Sequence, residues 1–161
     1  MKFLFSIIAL VLFNKECDSA ETSQLSNESN SAAVVEKLQD DNLSITYTKQ
    51  TRGFYEAITV SKSSLRISKD RNEKNAKIYD CSAEDWEHIK RLLSDLEIQN
   101  ISQLIAPTDK RYSDGALIAT VLVSKDKKDI KTQDFDHGHP PKEIEALVNK
   151  VLSIKENAIK Q

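Results

Sequence analysis

The sequence predicts an α+β fold: a mostly antiparallel sheet of about six strands with two helices on one face, in the order ββββ-α-ββ-α. Three observations carry that prediction. Four short runs between Leu43 and Cys81 alternate apolar and polar residues with the period of half-buried strands. Two longer stretches, after Ser82 and after Pro141, place apolar residues at spacings of three and four. Between those stretches lies an apolar run, a charged turn and a returning run, which is the pattern of a hairpin.

Element by element, "SITYTKQ" sets Ile45 and Tyr47 against Thr46 and Thr48. The turn at Gln50–Gly53 leads into "FYEAITV", with Phe54, Ile58 and Val60 on one face. "SLRIS" and "KIYDC" are the third and fourth strands, separated by the polar loop "KDRNEKNA". Ser82 followed by Asp85 is a capping-box arrangement, and Trp86, Ile89, Leu92, Leu93 and Leu96 form the stripe of the first helix. His88 falls off that stripe and faces solvent. "EIQNISQLIAPT" continues as a short helical turn that Pro107 ends. "ALIATVLVS" is the most apolar strand and is expected at the centre of the sheet; "KDKKD" is the hairpin turn and "IKTQDF" the returning strand. The last helix is expected to start at Pro141, whose missing N–H costs nothing there, and to bury Ile144, Leu147, Val148, Val151 and Leu152.

The beginning of the chain is a separate object. "MKFLFSIIALVLF" has one lysine and then an apolar run too short to span a bilayer, which needs about 20 residues. That is the layout of a secretory signal over residues 1–17. Cys17 stands where a bacterial lipoprotein signal places its lipidated cysteine, although Asn14, Lys15 and Glu16 depart from the small or aliphatic residues usual there. Cleavage near Ser19 or Ala20 is the competing reading. Residues 18–42 are rich in Ser, Asn, Glu and Gln and read as a flexible polar tether, followed by one α+β domain over 43–155 and a tail over 156–161. An exported chain could also join Cys17 to Cys81 in a disulfide; otherwise Cys81 is a lone thiol, more often a buried apolar residue than a reactive one.

Composition excludes several functions. Charged residues make up 30% of the chain and the formal net charge is −2, without the basic excess of a nucleic-acid footprint, so no nucleic-acid partner is expected. There is no P-loop, GxSxG, HExxH or CxxC. The exported start, with "TRGFY", "IAPT", "DGA" entering a strand and "FDHGHPP" leading into the last helix, resembles small uncharacterised exported proteins or lipoproteins of Bacteroidetes over residues 44–152. The resemblance implies a cell-envelope location. It brings no assigned activity and no functional residues.

The densest cluster of chemistry-bearing residues is "DFDHGHPP", Asp134 to Pro141. Two of the three glycines and two of the three prolines of the chain lie within residues 115–141, so the backbone there is under specific constraint. Hairpin pairing is expected to set Ala116 beside Phe135, bringing Asp114 to Asp136, His137 and His139 at one end of the sheet, near Asp109 and Arg111. Carboxylate and imidazole are the usual ligands of a divalent metal. Side-chain alternation argues against convergence, because 134 and 136 point to one face and 137 and 139 to the other unless Gly138 breaks the strand. A purely structural reading accounts for the same residues. Gly115 and Gly138 allow positive φ, Asp114 and Asp136 accept from amides two residues on, and the prolines start the helix.

A second candidate is Arg52, before Gly53, whose guanidinium can anchor a phosphate or carboxylate through paired hydrogen bonds. The preferred expectation is a lipid-anchored envelope module that binds an unidentified protein or small molecule, with no cofactor. A divalent-metal protein using Asp114, Asp136, His137 and His139 is the alternative. A hydrolase with Asp114, Asp136 and His137 as acid and base groups is the weaker one.

Overall fold

A computed structural model describes residues 42–160. The signal region 1–17, Cys17 and nearly all of the expected tether lie outside the described residues. Seven strands form one sheet: β1 (Leu43–Thr51), β2 (Phe54–Ser61), β3 (Ser64–Ser68), β4 (Lys77–Asp80), β5 (Ile118–Lys125), β6 (Lys128–Lys131) and β7 (Phe135–Asp136). Their spatial order is β4-β3-β2-β1-β5-β6, with β7 also paired to β5, and every pairing is antiparallel. Two helices, α1 (Ala83–Ser94) and α2 (Glu145–Ile159), complete the α+β fold.

Alternation decides which face of the sheet is covered. Ile45, Tyr47, Ile58, Val60, Leu65, Ile67, Val121 and Val123 are buried in one cluster with Trp86, Ile89 and Leu93 of α1 and Leu147, Val148, Val151 and Ile154 of α2. Full burial of each such side chain contributes about 1.5–3 kcal/mol before chain entropy is subtracted. The opposite face carries Thr46 and Thr59, paired across β1 and β2, whose hydroxyls lie 2.9 Å apart. Both helices therefore pack on one side, and the other side keeps a polar surface.

The first helix is capped as its sequence predicts. Ser82 Oγ accepts the Asp85 N–H at 3.1 Å and donates to the Asp85 carboxylate at 2.7 Å. A cap of this kind is worth about 1 kcal/mol. Lys150 of α2 reaches the same carboxylate at 2.7 Å and ties the helices together.

Four expectations are corrected. The apolar β5 is an interior strand but not the central one; β1 and β2 hold the middle. Only one face is covered, so a central strand can alternate, and β1 does. Pro141 does not begin α2: it is extended (ψ 141) and leads into a 3-10 turn at Lys142–Ile144, after which α2 starts at Glu145. The helix continues to Ile159, through most of the expected tail, because Ala158 still packs against the core. Finally, Phe135 lies opposite Ala119 rather than Ala116.

That last shift traces to the turn and one bulge in the returning strand. The β5–β6 turn has only two residues, Asp126 and Lys127, both with positive φ (50 and 65). One extra residue then enters the returning strand at Thr132, whose N–H donates to the Val121 carbonyl while its Oγ1 accepts the Val121 N–H at 3.0 Å. The side chain takes the place of a ladder carbonyl, as at a bulge. Counting out from a two-residue turn plus one bulge brings Phe135 to Ala119.

Candidate functional site

Strand register gathers the chemistry at one end of the sheet. The β1–β2 turn, the start of β5, β7 and the loop joining β3 to β4 all lie there. The Asp114 and Asp136–His139 segments lie at this common end, with Asp114 in the turn that precedes β5.

Asp136 is buried, only 3% exposed. Its carboxylate accepts the N–H of Lys110 at 2.8 Å and of Arg111 at 2.5 Å, together with the Thr108 hydroxyl. These partners lie 25 to 28 residues earlier in the chain, not two residues later as local turn chemistry predicts. Burial opposes its ionisation, but the Thr108, Lys110 and Arg111 hydrogen bonds and the Arg111 charge prevail and hold the carboxyl below its usual range. The segment after it is a tight turn: the His139 N–H donates to the Asp136 carbonyl at 2.9 Å, and Gly138 takes φ +86. His139 and Asp134 are exposed.

His137 leaves the strand toward the helix-covered face, where Nδ1 lies 2.7 Å from the Tyr47 hydroxyl. Burial, with some contribution from Glu56, pushes the Tyr47 phenol far above its normal range, so it keeps its proton. With that proton donated to Nδ1, a neutral His137 carries its own on Nε2. Burial also lowers the His137 pKa, and Lys49 and Lys155 add to this while Glu56 opposes them.

Beside this pair, Glu56 sits between two lysines, 3.1 Å from Lys49 and 2.7 Å from Lys155 of α2. All three are largely buried. Burial disfavours its charge, but the hydrogen bonds from Lys155 and Lys49 outweigh this and lower the pKa. Sequence reasoning passed over this triad and Tyr47. Lys49 and Glu56 face each other in the ladder at inward positions, Lys49 following Ile45 and Tyr47, and an inward charge in an alternating strand was the available signal.

On the same end lies a depression of about 360 Å³, lined in part by Gln50, Arg52, Arg71, Arg111, Ser113 and Asp114. The three arginines come from three separate segments. Arg71 stacks on Tyr55, its guanidinium carbon 5.1 Å from the ring centre. Arg111 is held by Asp109 at 3.1 Å and by the Thr108 carbonyl. Arg52 has no ion-pair partner among the described residues. Gln50 Oε1 is buried and accepts no hydrogen bond from the protein.

The four expected metal ligands are not drawn together. Asp136 is turned to the 108–111 backbone, His137 to Tyr47, and Asp114 and His139 are exposed. Among the described residues, no three His, Cys, Asp or Glu side chains form a group that could hold a metal ion. The acid–base pairing of Asp136 with His137 meets the same geometry, since each is engaged by a different partner. No protein-family model matches the chain, and no curated protein matches it.

Proposed function

We propose that the chain is an exported cell-envelope binding module, anchored through Cys17, whose ligand site is the depression around Arg52, Arg71 and Arg111. Its ligand presents a phosphate or carboxylate group. The observation that supports this reading is the convergence of three guanidinium groups from three separate segments, two of them already held in place and one without a counter-charge. Guanidinium donates paired hydrogen bonds in a fixed fork that matches both anions. Because Arg71 and Arg111 are ordered before a ligand arrives, binding loses less side-chain entropy than it would at free arginines.

Calorimetric titration with pyrophosphate and with citrate tests the site. Arg52→Ala should weaken binding at least tenfold, about 1.4 kcal/mol, with Arg52→Lys in between. Heats absent for both anions, or unchanged in Arg52→Ala, would remove the proposal. The anchor has its own test: metabolic labelling with a fatty-acid analogue should give a signal that Cys17→Ser abolishes.

A further inference from the structure

A second opening lies on the helix-covered side of the same sheet end. It has a volume of about 530 Å³ and runs between β2–β4 and the last two turns of α2, under the loop that joins β3 to β4. Its origin is topological. Helix α2 packs on β2 and β3, and the edge strand β4 lies beyond them in the sheet. The walls are Ile67, Tyr79 and Ile159, the last 53% exposed; Lys69 and Lys77 stand at its mouth and Glu56 and Lys155 at its floor.

The charges select the occupant. Glu56 is neutralised by its two lysines. Asp70, also in the lining, turns its carboxylate back to accept the Asn72 N–H at 2.9 Å. Lys69 and Lys77 make no ion pair with any described residue. What remains is a cleft with apolar walls whose rim sets the two lysines, Lys69 and Lys77, against the single carboxylate of Asp70. Clefts of this volume take a small organic molecule, with an apolar body and few polar groups fixing its orientation.

We infer that this groove binds a free amphipathic carboxylic acid. Its acyl or aryl body lies against Ile67, Tyr79 and Ile159, and its carboxylate lies between Lys69 and Lys77. The inference is independent of the arginine site, which uses other side chains and the other side of the loop: Arg71 leaves it toward Tyr55.

The test is calorimetric titration of the full-length chain with decanoate, below its micelle concentration, and with decanol. Decanoate should bind at least tenfold more tightly than decanol. In an Arg52→Ala background, which removes carboxylate binding at the arginine site, the preference should persist; there the double variant Lys69→Glu, Lys77→Glu should remove it and Ile159→Asp should weaken both ligands. Thermal melts check that the variants fold, and Lys77→Ala alone serves if the double variant does not. Equal affinity for the two ligands, an undiminished preference in the lysine variants, or no binding at millimolar decanoate would overturn the inference. So would binding only to phosphatidylglycerol vesicles, which would make the groove a membrane contact, or a concentration-dependent dimer blocked by Ile159→Asp, which would make it a self-association surface.

Discussion

The hydroxyl of Tyr47 and the Nδ1 of His137 are joined by a 2.7 Å hydrogen bond that spans 90 residues of sequence. It ties β1 in the middle of the sheet to the turn that precedes α2. Tyr47→Phe leaves Nδ1 without its donor, and the expected loss is about 1–2 kcal/mol of stability, measured by urea unfolding. Nitrogen NMR should show His137 as the Nε2–H tautomer in the native protein. In Tyr47→Phe its pKa should rise, because the hydrogen bond that favoured the neutral ring is gone. An Nδ1–H tautomer in the native protein would reverse the donor assignment.

The same residue sets a pH dependence. His137 has its folded pKa lowered from 6.5, by burial first and then by Lys49 and Lys155. The unfolded chain therefore binds the proton more readily, and stability falls as pH drops. The loss begins near 6.5 and is complete below the folded value. Glu56, Asp85 and Asp136, all lowered, add a second loss at more acid pH, as their carboxylates take up protons. Urea midpoints between pH 7.5 and 5 should decline in the native protein and stay flatter in His137→Gln. A parallel decline in both would move the cause elsewhere.

Replacing Glu56 tests the triad. Glu56→Gln removes the counter-charge shared by Lys49 and Lys155 and leaves two largely buried ammonium groups facing a neutral amide. The expected cost is about 1–3 kcal/mol. Lys155→Met removes one ammonium, keeps much of its apolar stem and leaves Glu56 with Lys49, so it should cost less. The order of the two chemical-denaturation midpoints is the readout, and Lys155→Met being the more damaging would refute this account.

The β5–β6 turn offers a stabilising change. Asp126 and Lys127 both hold positive φ, and Lys127 is exposed. A left-handed conformation costs an ordinary residue about 1 kcal/mol that glycine avoids, and Asp-Gly is a favoured pair for a two-residue hairpin turn. Lys127→Gly should therefore raise stability by up to about 1 kcal/mol and shift the thermal midpoint up by a few degrees. A drop in the midpoint would show that the lysine contributes something beyond its backbone.

Local pattern was enough to place β1 to β5, the Ser82 cap and both helix stripes, because alternation and three-and-four spacing follow from which face must leave water. The hairpin turn expected over 125–129 is Asp126–Lys127 alone, so the returning chain forms β6 earlier and β7 separately. The positive φ of Gly138 was legible for a similar reason: only a turn uses a glycine so close before two prolines. The site was less legible. Asp136 looked like a local turn acceptor and instead caps a backbone segment 25 residues earlier, since a buried carboxylate accepts from whatever amides the fold brings to it. Lys49 and Glu56 stood in plain alternation with core residues, but only the arrival of Lys155 from α2 shows how their charges are balanced.

What the sequence determined by itself, then, is the class of fold, its element order and the segments that meet at one end of the sheet. Those follow from short-range rules of periodicity, capping and turn conformation. The tertiary structure alone decided that a bulge at Thr132 shifts Phe135 to Ala119, that His137 turns inward to Tyr47, and that arginines from three segments share one depression while lysines rim another. Each of these depends on a one-residue register or on side chains far apart in the chain. The energies that select them come from long-range packing and charge compensation, which no local window of sequence contains.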